Sequence, residues 1–86
     1  MYSKCVMIQN PTGLHARPAA DLIAMTHNYE SVIAIVNGDD TIDPRSVFSL
    51  LAGNLKAGTT VTVQAEGKDE VACVEAICTY IEALEE

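Results

Sequence analysis

The stretch "VIAIVNGDDTI", residues 32–42, sets β-branched and apolar residues on both sides of an Asn-Gly pair. Asn-Gly tolerates the positive φ angles of a tight turn, so this segment predicts two antiparallel strands joined around Asn37 to Asp40. Upstream, Val6 and Ile8 alternate with Cys5 and Met7, the two-residue period of a first strand, until the turn residues of "NPTG" (10–13) end it. From residue 16 the period lengthens: Ala19, Leu22, Ile23 and Thr26 fall at i, i+3, i+4 and i+7, one face of a helix that starts at or next to His15. Downstream, "DPRSVFSLLAG" (43–53) predicts a short helix with Asp43 as cap, Pro44 in the first turn and Gly53 as stop; Ser46 is a second cap position. Val61, Val63 and Ala65 alternate with Thr60, Thr62 and Gln64 in a last strand, and Val74, Ile77, Cys78, Ile81 and Leu84 mark one face of a helix begun near Asp69. The order is βαββαβα, and strands with one apolar and one polar face call for an antiparallel sheet covered on one side by helices, an α+β fold.

The chain has 86 residues, which predicts one domain over 1–86 with a single core. Residues are 49% hydrophobic and 20% charged, a globular composition. Twelve acidic side chains against five basic ones give a net charge of −7 with no basic stripe, which argues against nucleic acid as a partner. No run approaches the roughly 18 apolar residues of a membrane span, and "MYSKCVMIQN" is not a secretory pattern, so no membrane insertion and a cytoplasmic location are expected. Three cysteines without a CxxC do not form a disulfide framework. Cys5 points away from Val6 and Ile8, and Cys73 and Cys78, five apart, do not share a helix face. No metal-ligand spacing, Ser/His/Asp set or Walker-type loop is present, and neither a metal nor a cofactor is expected.

"GLHARPAA" (13–20) carries the chemistry. A histidine at the mouth of a helix stands beside backbone N–H groups that lack intrahelical acceptors and form the positive end of the dipole. Pro18 suits a first turn, where its missing N–H costs nothing, and it keeps Arg17 at or outside the helix boundary. The Arg17 guanidinium matches phosphate oxygens, and imidazole is the one side chain here that offers a neutral nucleophilic nitrogen at cellular pH. The combination points to covalent phosphoryl transfer to His15, with Arg17 and the helix terminus holding the phosphate; a capping or surface histidine is the alternative. His27, at the other end of the helix, reads as a cation that complements the dipole. Val47, Phe48 and Leu51 spread apolar groups around more of the short helix than one buried stripe requires, whereas Leu50 suits the core, so some of them face solvent.

With these residues in view the chain resembles the HPr family of phosphocarriers of the bacterial sugar phosphotransferase system. The likeness rests on "GLHARPAA", "RSVFSLLAGNLKAG" (45–58), "TVTVQAEGKDE" (60–70) and the amphipathic last helix. It implies an open-faced β-sandwich with strand order 1-4-2-3 and three helices on one face. It implies that His15 accepts a phosphoryl group on Nδ1 from phosphorylated enzyme I and gives it to sugar-specific IIA domains, with Arg17 supporting the phosphate. The chain is thus a phosphoryl carrier, not a stand-alone enzyme, and a monomer is expected.

By the same resemblance Val47, Phe48 and Leu51, with Arg45, form the docking surface. Ser46 matches a regulatory serine that a dedicated HPr kinase/phosphorylase modifies in many low-GC Gram-positive bacteria, linking sugar supply to a catabolite-control regulator; a plain N-cap is its other reading. The alternative function is a regulatory binding module acting through phospho-Ser46, a kind that characteristically loses the histidine this chain keeps. The chain departs from many members in lacking lysine at Ala24, at His27 and near Ser49, which leaves a thin positive rim of Arg17, Arg45 and, less near, Lys56.

Overall fold

The computed structural model describes residues 1–14, 16–53 and 55–84. Its elements are β1 (Tyr2–Met7), α1 (Ala16–Thr26), β2 (Val32–Asn37), β3 (Asp40–Ile42), α2 (Val47–Ala52), β4 (Thr60–Glu66) and α3 (Glu70–Ala83). The order is the one the sequence predicts. All four strands are antiparallel to their neighbours, in the order β1-β4-β2-β3.

The register sorts the side chains into two faces, because residues directly opposite in an antiparallel pair share a face. Val6 pairs with Val61, Ile35 with Val63 and Ile42, and Ile33 with Ala65. All of these are buried beneath the helices. Cys5 pairs with Thr62, and Val36 with Thr41 and Thr62, on the face that no helix covers. The Asn-Gly turn closes as expected: Asn37 pairs with Asp40, and Gly38 takes φ +62° at the tip.

Leu22 of α1, Leu50 of α2 and Ile77 and Ile81 of α3 are fully buried and meet the strand residues in one core cluster. Cutting any of them to alanine removes contacts worth about 2–5 kcal/mol. Helix α3 buries Cys73, Val74, Ile77, Cys78 and Ile81. Its buried face is therefore wide enough to take both cysteines, against the expectation that they lie on different faces. Burial raises the Cys73 thiol and pushes Cys78 up to about 11.

Two helix starts differ from the sequence expectation. Helix α2 begins after Ser46, whose hydroxyl accepts from Ser49 N–H at 3.2 Å, and Pro44 precedes it. Asp43 is not the cap because its carboxylate accepts from Arg45 N–H at 2.9 Å while its carbonyl accepts from Ser46 N–H at 3.1 Å. This Asx-type turn competes with helix and wins. Gly53 ends α2 in a right-handed conformation, φ −71°, and its role is room: a Cβ there would come within 2.6 Å of Ile42 Cδ1.

Asp69 occupies the cap position of α3 without capping it. Its carboxylate instead accepts from Glu30 N–H at 2.9 Å, Ser31 N–H at 3.1 Å and the Ser31 hydroxyl. The Ser31 hydroxyl, then the Glu30 amide, hold the Asp69 carboxyl below its ordinary value. Arg45 closes the same connection from the other side, donating to the carbonyls of Ser31 at 3.1 Å and Tyr29 at 3.3 Å.

Candidate functional site

The chain reaches α1 through a tightly held loop. Gly13 N–H donates to the Asn10 carbonyl at 3.1 Å, and buried Asn10 returns a bond from Nδ2 to the Gly13 carbonyl at 2.7 Å. The loop is stapled to residues 55–59 by Leu14 N–H to Leu55 O at 2.8 Å, Ile8 N–H to Thr59 O at 2.8 Å and Gly58 N–H to Ile8 O at 2.7 Å. Gly13 takes φ +64°, and a Cβ on it would strike the Leu55 carbonyl oxygen and come within 2.7 Å of Lys56 Cα. The backbone of Lys56 thus packs against the loop two residues before position 15. Sequence reasoning placed Lys56 further away, since only the fold brings residue 56 to residue 13.

His15, the phosphoryl acceptor expected from the sequence, lies outside the described residues, as does Asn54. Its neighbours fix where the chain passes: Leu14 is buried and Ala16 opens α1. The first turn of α1 contains no acidic residue. Its backbone N–H groups and positive dipole end therefore face the entrance with no carboxylate of that turn to occupy them. Arg17 is exposed and is the second residue of the helix, inside the boundary that its position before proline would favour. Pro18 is buried against the core and supplies no N–H. Four residues on from Arg17, Asp21 accepts at 2.6 Å from the hydroxyl of Tyr80 on α3. Nothing in the local sequence reveals this contact, because its partners are 59 residues apart.

The exposed side of α2 carries Val47, Phe48 and Leu51; Phe48 is 81% exposed, whereas Leu50 is fully buried. Phe48, Leu51 and Ala52 line a shallow open hollow of about 300 Å³. Ser46 stands at the start of this helix, half-buried, with its hydroxyl engaged as the cap. Arg45 is held at the carbonyls of Tyr29 and Ser31, which follow the C-terminal end of α1. Since α1 has 11 residues, about 16 Å of helix rise separates that end from Arg17. Arg17 and Arg45 thus flank the two ends of α1 and do not share one anion site. Ser49 has a structural task where many relatives carry charge nearby: its hydroxyl accepts from Asp43 N–H at 3.0 Å.

Among the described residues no three His, Cys, Asp or Glu side chains converge as a metal cage requires. Nor is any described helix long and apolar enough to cross a membrane.

A βαββαβα open-faced sandwich with a helix entrance built to receive an anion defines a class, that of small phosphoryl-carrying domains. The chain belongs to the PTS HPr family: residues 2–83 match the family model described as "PTS HPr component phosphorylation site". It is 38% identical to the phosphocarrier protein HPr of Haemophilus influenzae over 99% of this chain and all of that one. It is 33% identical to the HPr-like protein Crh of Halalkalibacterium halodurans, covering 95% of this chain and 98% of that protein. Among solved structures, HPr-C-His from Thermoanaerobacter tengcongensis superposes with a TM-score of 0.91 at 30% identity, covering 96% of this chain and 93% of that one. An HPr dimer from the same organism matches with a TM-score of 0.74 at 30% identity over 96% and 95% of the two chains. Family members thus include dimers.

Proposed function

We propose that this chain carries phosphoryl groups in sugar uptake, accepting one on His15 from phosphorylated enzyme I and passing it to sugar-specific IIA domains. The observation that carries the reading is the match over residues 2–83 to a family described by its phosphorylation site, with the histidine of "GLHARPAA" at the entrance of α1. In the transfer, the Nδ1 lone pair of neutral His15 attacks phosphorus. The bond from phosphorus to the donor breaks, and the donor leaves with that electron pair. Nε2 keeps its proton, so no separate base is needed. Arg17 and the first-turn amides of α1 offset the dianion, a charge-assisted arrangement that acts most strongly when the partner has excluded water. The same step in reverse delivers the group to a IIA domain, so the chain is a carrier whose phosphohistidine is transient.

The exposed Val47, Phe48 and Leu51 are the docking surface in this reading, and the whole site belongs to one chain of 86 residues acting as a single unit in the cytoplasm. Ser46 adds a regulatory position. A phosphate on its hydroxyl would sit at the start of α2, where the dipole favours it, yet beside the apolar contact that a partner must desolvate. Ser46→Asp should leave the fold intact and lower the rate of transfer from enzyme I. An unchanged rate at low salt would leave Ser46 as a cap alone.

The deciding experiment is incubation with phosphoenolpyruvate and enzyme I followed by intact mass. One phosphoryl group should add, labile in acid and stable in base, and His15→Ala should take none. Addition to a folded His15→Ala variant would sink the reading.

A further inference from the structure

The Tyr80 hydroxyl donates to Asp21 Oδ2 at 2.6 Å and so ties α3 to the exposed side of α1. Asp21 is exposed and Tyr80 only partly buried, so the bond is not a by-product of core packing. Asp21 follows Arg17 by four residues. At that spacing two side chains stand one above the other on a helix, the arrangement in which opposite charges meet. The Tyr80 hydroxyl senses both neighbours. Burial first, then the hydrogen bond and charge of Asp21, push it up to about 12, while the Arg17 charge acts in the opposite direction. It therefore remains a donor to Asp21 throughout the neutral range. Tyr80, Asp21 and Arg17 form one connected line from α3 to the entrance of α1.

We infer, resting on the phosphocarrier reading, that Asp21 and Tyr80 are a positioning pair for Arg17: Tyr80 fixes the Asp21 carboxylate, and the carboxylate holds the guanidinium in a resting place one turn inside the helix entrance. An arriving phosphoryl dianion draws the guanidinium away from that place. The pair then affects the reaction in two ways. It orders a long, rotamer-rich side chain before the partner docks, and it sets a competing negative charge that keeps the phosphohistidine from becoming too stable to hand on.

The test uses Asp21→Asn, which keeps an acceptor for Tyr80 but removes the charge, and Tyr80→Phe, which keeps the charge but frees the carboxylate. Both are first shown to be folded by thermal melts and amide NMR spectra. The Arg17 Nε–Hε heteronuclear NOE in the unphosphorylated protein should fall in both variants. The equilibrium of phosphoryl exchange with enzyme I should shift toward the phosphorylated chain by about three- to tenfold in Asp21→Asn, the loss of one like charge at roughly 8 Å. In Tyr80→Phe it should shift less, because the charge remains. An Arg17 NOE unchanged in both folded variants would overturn the inference. So would a fallen NOE with no shift in Asp21→Asn, since the pair would then have no part in the reaction. If the unmodified chain takes no phosphoryl group at all, the phosphocarrier reading fails, while the NOE still decides whether the pair holds Arg17.

Discussion

Replacing Gly13 with alanine tests whether the loop before α1 is built around one missing side chain. Gly13 adopts φ +64°, and a Cβ there would strike the Leu55 carbonyl oxygen and lie within 2.7 Å of Lys56 Cα. Both are backbone atoms, and neither can rotate aside as a side-chain tip could. The left-handed conformation costs an alanine about 1–2 kcal/mol. Forcing extra volume against a fixed wall adds about 1–3 kcal/mol. The total is about 2–5 kcal/mol, a large part of the ~5–15 kcal/mol stability of a small domain. Gly38 is the matched control, because it has nearly the same angle, φ +62°, with nothing within 4 Å of a new Cβ. Gly38→Ala should lose only the conformational part, so the two variants should differ by about 1–3 kcal/mol. Urea unfolding with an unchanged m value measures the difference. The same wall carries the Leu14 N–H to Leu55 O bond, one residue before His15. In Gly13→Ala the entrance of α1 should therefore be displaced, and transfer from enzyme I should fall by roughly 100-fold for a shift near 1 Å. Gly38→Ala should transfer normally. Equal stabilities for the two variants, or full transfer by a destabilised Gly13→Ala, would refute the reasoning.

Other consequences are accessible to simple measurements. Iodoacetamide should add once to the native protein, at exposed Cys5, and three times after denaturation, because Cys73 and Cys78 are buried with raised thiols; two native adducts would contradict the packing of α3. The carboxyls of Asp69, Glu70 and Glu75 are held below their ordinary values of 3.8, 4.5 and 4.5. A lowered folded value stabilises the fold above the ordinary value and ceases to do so as pH falls through the folded one. The urea midpoint should thus be flat above about pH 5 and decline below about pH 4, less steeply in Asp69→Asn. Phe48→Ala should change stability by no more than about 0.5 kcal/mol, being a surface change, yet slow transfer from enzyme I; normal transfer would remove Phe48 from the docking surface.

The hairpin at Asn37-Gly38 and the alternation of β4 were legible because both are local: the turn needs a residue tolerant of positive φ, and each strand buries one face. Helix α3 was legible from its apolar spacing, although its buried face proved wider than a single stripe. The start of α2 was not, because Asp43 and Ser46 are both good caps and the choice depends on Asp43 closing a turn on Arg45 and Ser46. Asp69 illustrates the same limit, since its carboxylate serves Ser31, 38 residues away, instead of its own helix. At the site, the motif around residue 15 announced its chemistry through residue types alone. The positions of Lys56 against the loop, of Arg45 at the far end of α1 and of Tyr80 beside Asp21 come from tertiary contacts that no local pattern encodes.

The central claim is that one histidine carries the phosphoryl group. Labelling with phosphoenolpyruvate and enzyme I, then digestion and mass spectrometry at neutral to basic pH, locates that group directly. The account predicts it on the peptide containing His15 and on no other, and predicts that adding a IIA domain empties that peptide. A phosphoryl group found on His27, on Ser46 or on a cysteine, with the His15 peptide unmodified, would contradict it.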